Sequence, residues 1–235
     1  MFFDPLYIVL VVVMLAISGW AAWRVRSTYA RWSKVDSGVD LSAYDFARRL
    51  LDRQDLADVK IEPTPGQLTD HYDPRSKTLR VSQTVAGTGT GTEGGPRLSV
   101  AAAAVIAHEV GHALQDRERD VWLTARSVIV PIASFGSSIA PWLIIAGIVL
   151  QFFQLAVIGL IGFAAAFVFT LITLPVEIGA SGKALAFVQG LGMVGERQDG
   201  ARAVLKAAAW TYVAAALTAL LSFLYYFSLV MGRRD

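Results

Sequence analysis

Two histidines four residues apart, with a glutamate directly after the first, are the side chains of this sequence best suited to chemistry. His108, Glu109 and His112 spell H-E-x-x-H within an apolar, alanine-rich run over residues 100–114. Such a run favours a helix, and side chains four apart share one face of a helix. Both imidazoles would then reach one Zn²⁺, with Glu109 beside the metal as general base. Two buried histidines that match the motif by chance are the alternative.

Composition indicates a membrane protein. The 235 residues are 54% hydrophobic, with a mean hydropathy of +0.50, which is too apolar for an ordinary soluble domain. The formal net charge of +2 predicts no nucleic-acid partner. The absence of cysteine excludes disulfides, thiolate metal ligands and a cysteine nucleophile, and it fits a reducing compartment.

Four uncharged apolar segments are predicted to cross a lipid bilayer as helices. They are residues 6–23, 128–150, 155–176 and 207–231. The first could be a signal peptide, but basic residues do not precede it, so we interpret it as a retained span.

Basic residues predict the orientation of these spans. Arg24, Arg26, Arg31 and Lys34 follow the first span, so the positive-inside rule places its C-terminal end in the cytoplasm. Alternation then puts residues 24–127 and 177–206 inside and residues 151–154 outside. Arg233 and Arg234 would lie outside, against the rule. We expect a multi-pass protein of the plasma or bacterial inner membrane whose active site faces the cytoplasm.

The spans divide the chain into five parts. They are an N-terminal transmembrane helix (1–23), a cytoplasmic zincin-like part with the metal-motif helix (24–127), a transmembrane hairpin (128–176), a second cytoplasmic segment (177–206), and a C-terminal transmembrane helix with its tail (207–235). The predicted fold is therefore a mainly α membrane protein with four transmembrane helices and a small α+β catalytic part.

The residues before the motif predict one helix, one strand and one β-hairpin. An apolar helical periodicity predicts an amphipathic helix with Ala43, Phe46, Ala47, Leu50 and Leu51 on its buried face. Val59 and Ile61 indicate a short strand that ends at residues 63–66 (PTPG). Residues 68–82 predict a hairpin with its turn at 73–76 (DPRS). Its free edge could bind an extended peptide substrate, and a purely structural hairpin is the alternative.

Two further features of this region carry weaker signals. His71, in the hairpin, could be a third metal ligand, a hydrogen-bond donor to the transition state, or a surface histidine. Gly89, Gly91 and Gly94 match G-x-G-x-x-G. The helix that follows carries the metal motif, and no second parallel strand or ribose-binding acid follows it. Residues 86–97 are therefore predicted to be a flexible loop near the active site rather than a dinucleotide site.

Glu177 is the predicted third metal ligand. A catalytic zinc usually takes three protein ligands and one water. Residues 113–118 contain no histidine, so the metzincin ligand is absent. Between Asp120 and Glu196, Glu177 is the only carboxylate. It follows Pro175 at the end of the third span, where a lone acid is a functional candidate. A carboxylate hydrated at the headgroup level is the alternative.

The sequence resembles the YugP-type membrane neutral zinc metallopeptidases of bacteria over nearly its whole length. The resemblance rests on residues 68–79 (LTDHYDPRSKTL), 107–113 (AHEVGHA) and 174–177 (LPVE), with one span before the motif and three after it. More remotely, the layout is similar to the HtpX and CAAX-prenyl-protease group, in which Glu-x-x-Ala-Asp supplies the glutamate ligand. Here the corresponding residues 177–181 read EIGAS, so Ser181 stands where that group has aspartate, and its contact must be weaker or supplied elsewhere.

The expected function is zinc-dependent proteolysis of membrane or membrane-associated proteins. We expect Zn²⁺ on His108, His112 and Glu177, and Glu109 as general base. Candidates for an additional oxyanion donor are His71, Tyr72 and Lys183.

Two other readings compete with this function. A site-2-type intramembrane protease would need an aspartate in a later span, and the charged residues 116–120 (DRERD) after the motif cannot enter lipid. A non-catalytic membrane scaffold or partner-binding subunit would use a closed structural metal site, with His71 as fourth ligand. Small residues in the spans (Gly136, Ser137, Gly159, Gly162) would allow close helix packing, a homo-oligomer or a regulatory membrane partner.

Overall fold

The structure, a computed structural model, describes residues 4–87 and 98–232. Within this range the helices are α1 (Pro5–Trp32), α2 (Ala43–Arg53), α3 (Gln83–Ala86), α4 (Val100–Arg117), α5 (Val121–Val149), α6 (Phe153–Gly190) and α7 (Glu196–Met231). The strands are β1 (Lys60–Thr64), β2 (His71–Asp73) and β3 (Thr78–Ser82). The described part of the chain is thus mainly helical with one small sheet. Most of the predicted glycine-rich loop (88–97), together with Arg233 and Arg234, lies outside the described residues.

The chain forms two compact units. The first contains Met1–Ala22, Val121–Val176 and Trp210–Asp235, and the second contains Trp23–Asp120 and Glu177–Ala209. Helices α1, α6 and α7 each contribute residues to both.

Four helices of the described chain are long and apolar enough to cross a membrane, as predicted. They are α1, α5, α6 and α7, with mean hydropathies of 2.2, 1.9, 2.6 and 2.0 in their most apolar windows. Helices α1, α6 and α7 continue well past the predicted spans because backbone hydrogen bonding does not stop where charged residues begin. Helix α6 therefore carries Glu177 without a break after Pro175.

The first unit contains a tightly packed hairpin of α5 and α6. A Cβ atom added to Gly136 would lie 3.1 Å from the Cα atom of Gly162, and one added to Gly159 would lie 2.7 Å from the carbonyl oxygen of Ala140. Small residues let helix backbones approach this closely. Three of the four small residues predicted to allow close packing therefore lie at the contact between α5 and α6 of the same chain. They are Gly136, Gly159 and Gly162.

The second unit has a core in which α2 packs on α4. The predicted amphipathic helix is confirmed, since all five apolar residues predicted for its inner face are buried. Ser42 caps the N-terminus of this helix, since its side chain accepts a hydrogen bond from the N–H of Asp45 at 3.1 Å.

The sheet of this unit has the strand order β1-β3-β2. Strands β2 and β3 are antiparallel, which confirms the predicted hairpin. Strand β1 pairs with β3 in parallel, a pairing that the sequence analysis did not predict. The predicted strand end at residues 63–66 is confirmed, since β1 ends at Thr64, and Pro63 lies inside the strand opposite Val81. An edge strand tolerates proline, since one of its sides needs no N–H donor.

Candidate metal centre

Helix α4 presents the two motif histidines on one face. Ser99 caps its N-terminus, where the hydroxyl oxygen accepts a hydrogen bond from the N–H of Ala102 at 3.1 Å. One turn separates His108 from His112, and their ring centroids lie 4.7 Å apart. Both rings are only partly exposed. Helix α4 therefore holds both imidazoles close together on one face, as the spacing predicts.

Glu177 of α6 meets both imidazoles. Its Oε2 atom lies 3.1 Å from Nε2 of His108 and 3.5 Å from Nε2 of His112. The side chain of Glu177 is buried, with an exposed fraction of 2%. One ligand atom from each of the three residues can be chosen so that all lie within 4.8 Å of one another. The structure thus brings together the three predicted ligands.

This group fits a zinc ion by its chemistry. Two imidazole nitrogens and one carboxylate oxygen are the protein ligands of one class of catalytic zinc site. A buried carboxylate also needs a compensating charge or strong hydrogen bonds. His108, His112 and Glu177 could therefore hold one divalent cation.

Close approach of α4 and α6 depends on Gly111. A Cβ atom at this position would lie 2.7 Å from the carbonyl oxygen of Ala180 and 3.2 Å from its Cα atom. Those are backbone atoms, which cannot move away by a change of side-chain rotamer. Gly111, between Glu109 and His112 in the motif, thus lets the helix that carries Glu177 reach the histidines.

Glu109, the residue after His108 on α4, contacts strand β2 of the sheet. Its Oε2 atom accepts a hydrogen bond from the backbone N–H of Tyr72 at 2.9 Å. One N–H cannot serve two directions, so this amide points away from β3, at the outer edge of β2. Burial raises the pKa of the Glu109 carboxyl, and His108 and His112 act in the opposite direction. The predicted general base thus contacts the outer edge of the hairpin.

The outer nitrogen of each motif imidazole has a polar neighbour. Nδ1 of His112 lies 2.9 Å from Oε1 of Gln115, and Nδ1 of His108 lies 3.3 Å from Oγ of Ser181. Ser181 stands out in the sequence as a departure from a related group, whereas a role for Gln115 was not predicted. The available signal was its position three residues after His112 on the same helix.

His71 lies on β2 with an exposed ring. Its Nδ1 atom is 2.8 Å from the carbonyl oxygen of Thr69, and its Nε2 atom is 3.4 Å from Nη1 of Arg80. Among the described residues, the group that could hold a metal consists of His108, His112 and Glu177, without His71. A catalytic role for His71 stays a prediction.

The two other candidates for an oxyanion donor are each bonded to a carboxylate. The hydroxyl of Tyr72 donates to Oδ2 of Asp116 at 2.8 Å, and Nζ of Lys183 donates to Oε2 of Glu118 at 2.6 Å. Both contacts lie at the C-terminal end of α4. Their role towards a substrate also stays a prediction.

Comparison with known proteins agrees with this geometry. Residues 7–231 match the family described as "Putative neutral zinc metallopeptidase", and the chain belongs to that family. The protein named "Putative membrane protease YugP" of Bacillus subtilis (strain 168) is 39% identical over 231 residues, which are 98% of this chain and 99% of that relative. No solved structure matches the chain. The resemblance seen in the sequence is therefore confirmed.

Proposed function

We propose that this chain is a membrane-embedded zinc metallopeptidase that hydrolyses peptide bonds of membrane-associated proteins. The observation that carries the proposal is the convergence of His108, His112 and Glu177 beside the buried carboxylate of Glu109. Membership of the zinc metallopeptidase family supports it.

His108, His112 and Glu177 would hold the zinc ion. When bound, the ion supplies Lewis acidity, which makes water a better nucleophile at neutral pH and polarises a peptide carbonyl. Glu109 takes a proton from the attacking water and later gives it to the nitrogen of the departing amine. The N–H of Tyr72 holds the Glu109 carboxylate in position for both transfers.

Three ligands favour a catalytic over a structural metal. A structural zinc site is normally closed by four protein ligands, whereas a catalytic site keeps one position for water. In the described part of the chain the group has three members. His71, which would have been the fourth, is hydrogen-bonded to Thr69 instead.

The outer edge of β2 is the proposed docking site for the substrate backbone. Strand β2 is an edge strand, and the N–H of Tyr72 on that edge already contacts the general base. A peptide in extended conformation can add to such an edge through main-chain hydrogen bonds, here to edge groups other than the Tyr72 N–H, which Glu109 already binds. This would place a scissile bond near Glu109.

We propose that the metal centre faces the cytoplasm. All four site residues fall in the two segments, 24–127 and 177–206, that the positive-inside rule assigns to that side. Substrates would then be cytoplasmic segments of membrane proteins, or proteins bound at that surface.

The test of the general base is Glu109→Gln in the full-length, detergent-solubilised protein. Glutamine keeps the shape but cannot take a proton, so we expect hydrolysis of an unfolded protein substrate to fall by about 10²- to 10⁴-fold. Zinc content should stay at the parental level. Glu196→Gln, at an exposed position at the start of α7, is the matched control and should keep full activity. Parental hydrolysis by Glu109→Gln would exclude Glu109 as the base.

A further inference from the structure

We propose that Gln115 and Ser181 are positioning residues of the metal centre, which fix the two ligand imidazoles in one tautomer through uncharged hydrogen-bond partners. Gln115 acts through His112, and Ser181 acts through His108. The inference rests on the proposed function, because it assumes that these histidines bind zinc.

Gln115 is a buried polar side chain with a specific contact. Its exposed fraction is 1%, and a buried amide destabilises a protein unless it is hydrogen-bonded. Its Oε1 atom lies 2.9 Å from Nδ1 of His112. Its amide nitrogen lies over Gly179 of α6, where an added Cβ atom would be only 2.9 Å away. Gln115 is therefore held between the ligand histidine and the helix that carries Glu177.

The geometry selects one tautomer of His112. A neutral imidazole has one N–H and one lone pair, and a metal bond needs the lone pair. Nε2 of His112 faces Glu177, so this nitrogen is the metal-facing one. The proton must then be on Nδ1, and this N–H donates a hydrogen bond to the amide oxygen of Gln115.

Ser181 gives His108 the same arrangement from the other helix. Nε2 of His108 faces Glu177 at 3.1 Å, and Nδ1 lies 3.3 Å from the hydroxyl oxygen of Ser181. Ser181 lies four residues after Glu177, one turn further along α6. One helix thus supplies both a ligand and the partner of another ligand.

Neither partner carries a formal charge, and this has a measurable consequence. Carboxylate partners raise the basicity of a ligand imidazole, and loss of a partner typically lowers metal affinity about 10- to 100-fold. An amide and a hydroxyl orient the rings with little added basicity. A carboxylate introduced at either position should therefore strengthen zinc binding.

The experiment measures the zinc dissociation constant of the full-length protein in detergent by competition with a chromogenic chelator. We expect Gln115→Met, of similar length but with only a weakly accepting sulfur in place of the amide oxygen, to weaken binding by about 10- to 100-fold. Gln115→Glu restores an acceptor and adds a negative charge, so it should bind zinc more tightly than the parent, as should Ser181→Asp. Leu114→Met, a volume-conserving change at the neighbouring buried position, is the control and should match the parent.

A second readout reports ligand geometry rather than affinity. The cobalt-substituted protein absorbs in the visible range, and this spectrum should change in Gln115→Met and return towards the parental spectrum in Gln115→Glu. If Gln115→Met had parental zinc affinity and a parental cobalt spectrum, the positioning role would be refuted.

These outcomes separate the inference from the proposed function. Tight zinc binding by a parent protein that hydrolyses nothing would overturn the peptidase proposal and leave the positioning role intact. Full proteolysis by the parent, together with parental zinc affinity in Gln115→Met, would refute the positioning role and leave the peptidase proposal intact.

Discussion

At the scale of single residues, His112 contacts a different partner at each ring nitrogen. Nε2 faces Glu177 at 3.5 Å, and Nδ1 faces Gln115 at 2.9 Å. Because both nitrogens have partners, the ring has little freedom to rotate or change tautomer. Such preorganisation spares a metal site the entropy of ordering its ligands on binding.

His71→Ala tests whether the third histidine of the chain is a ligand. Its ring is exposed and bonded to Thr69, so we expect the zinc content to be unchanged. If His71 donates a hydrogen bond to the transition state, kcat should fall by about 10²- to 10³-fold with little change in KM. His112→Ala is the comparison and should lose the metal. Loss of zinc in His71→Ala would support a closed structural site instead.

The residues of the site differ in how far the sequence could predict them. His108, Glu109 and His112 follow from spacing alone, since a helix fixes which side chains share a face. Glu177 was predictable because it is the only carboxylate in the sequence between Asp120 and Glu196. The contact between Gln115 and His112 was not predicted, because it depends on side-chain rotamers set by the packing of α4 on α6.

At the scale of elements, the contact between α4 and α6 determines whether the three ligands can meet. Gly111→Ala should push α6 away, because the new Cβ atom would lie 2.7 Å from a backbone oxygen of Ala180. We expect a loss of about 1–3 kcal/mol in the free energy of unfolding. Weaker zinc binding should accompany it, since Glu177 moves with α6.

Gly182→Ala is the matched control for this substitution. A Cβ atom there meets nothing within 4 Å, although the residue also lies on α6. Its zinc affinity should equal that of the parent, and its stability should be equal or slightly higher because alanine favours a helix. Chelator competition and thermal unfolding in detergent measure both quantities. Equal zinc affinity and equal stability of Gly111→Ala and Gly182→Ala would contradict a role for close packing of α4 on α6.

Elements that form through local interactions were predictable from the sequence, and a pairing between distant residues was not. Helix α2 and the hairpin of β2 and β3 were predicted from local periodicity and turn residues. The parallel pairing of β1 with β3 was not, because it joins residues separated by the whole hairpin and has no local signal.

At the scale of the whole molecule, composition already separates the two units. The first consists mainly of uncharged helical segments, and the second carries the sheet and the metal-binding group. Long apolar helices satisfy their own backbone hydrogen bonds, which a bilayer requires. The four helices were therefore predictable from hydropathy, while the side of the membrane that each end faces stays a prediction.

Single cysteines test that orientation, because the chain has none of its own. We expect Gln154→Cys, at the start of α6 in the stretch assigned to the outside, to react with a membrane-impermeant thiol reagent in intact cells. Gln67→Cys, in the segment assigned to the cytoplasm, should react only after the membrane is opened. Both positions are exposed on the protein, so access depends on the membrane alone. The opposite labelling pattern would place the metal centre outside.

The most direct test of the account is the metal content of the purified full-length protein and of Glu177→Ala. With three ligands, the parent should carry about one zinc per chain. Glu177→Ala should carry almost none, because two imidazoles alone hold zinc weakly, while the exposed-site control Glu196→Ala keeps the full amount. A parent free of zinc after zinc is supplied, or a Glu177→Ala protein with undiminished zinc, would contradict a metal centre built from His108, His112 and Glu177.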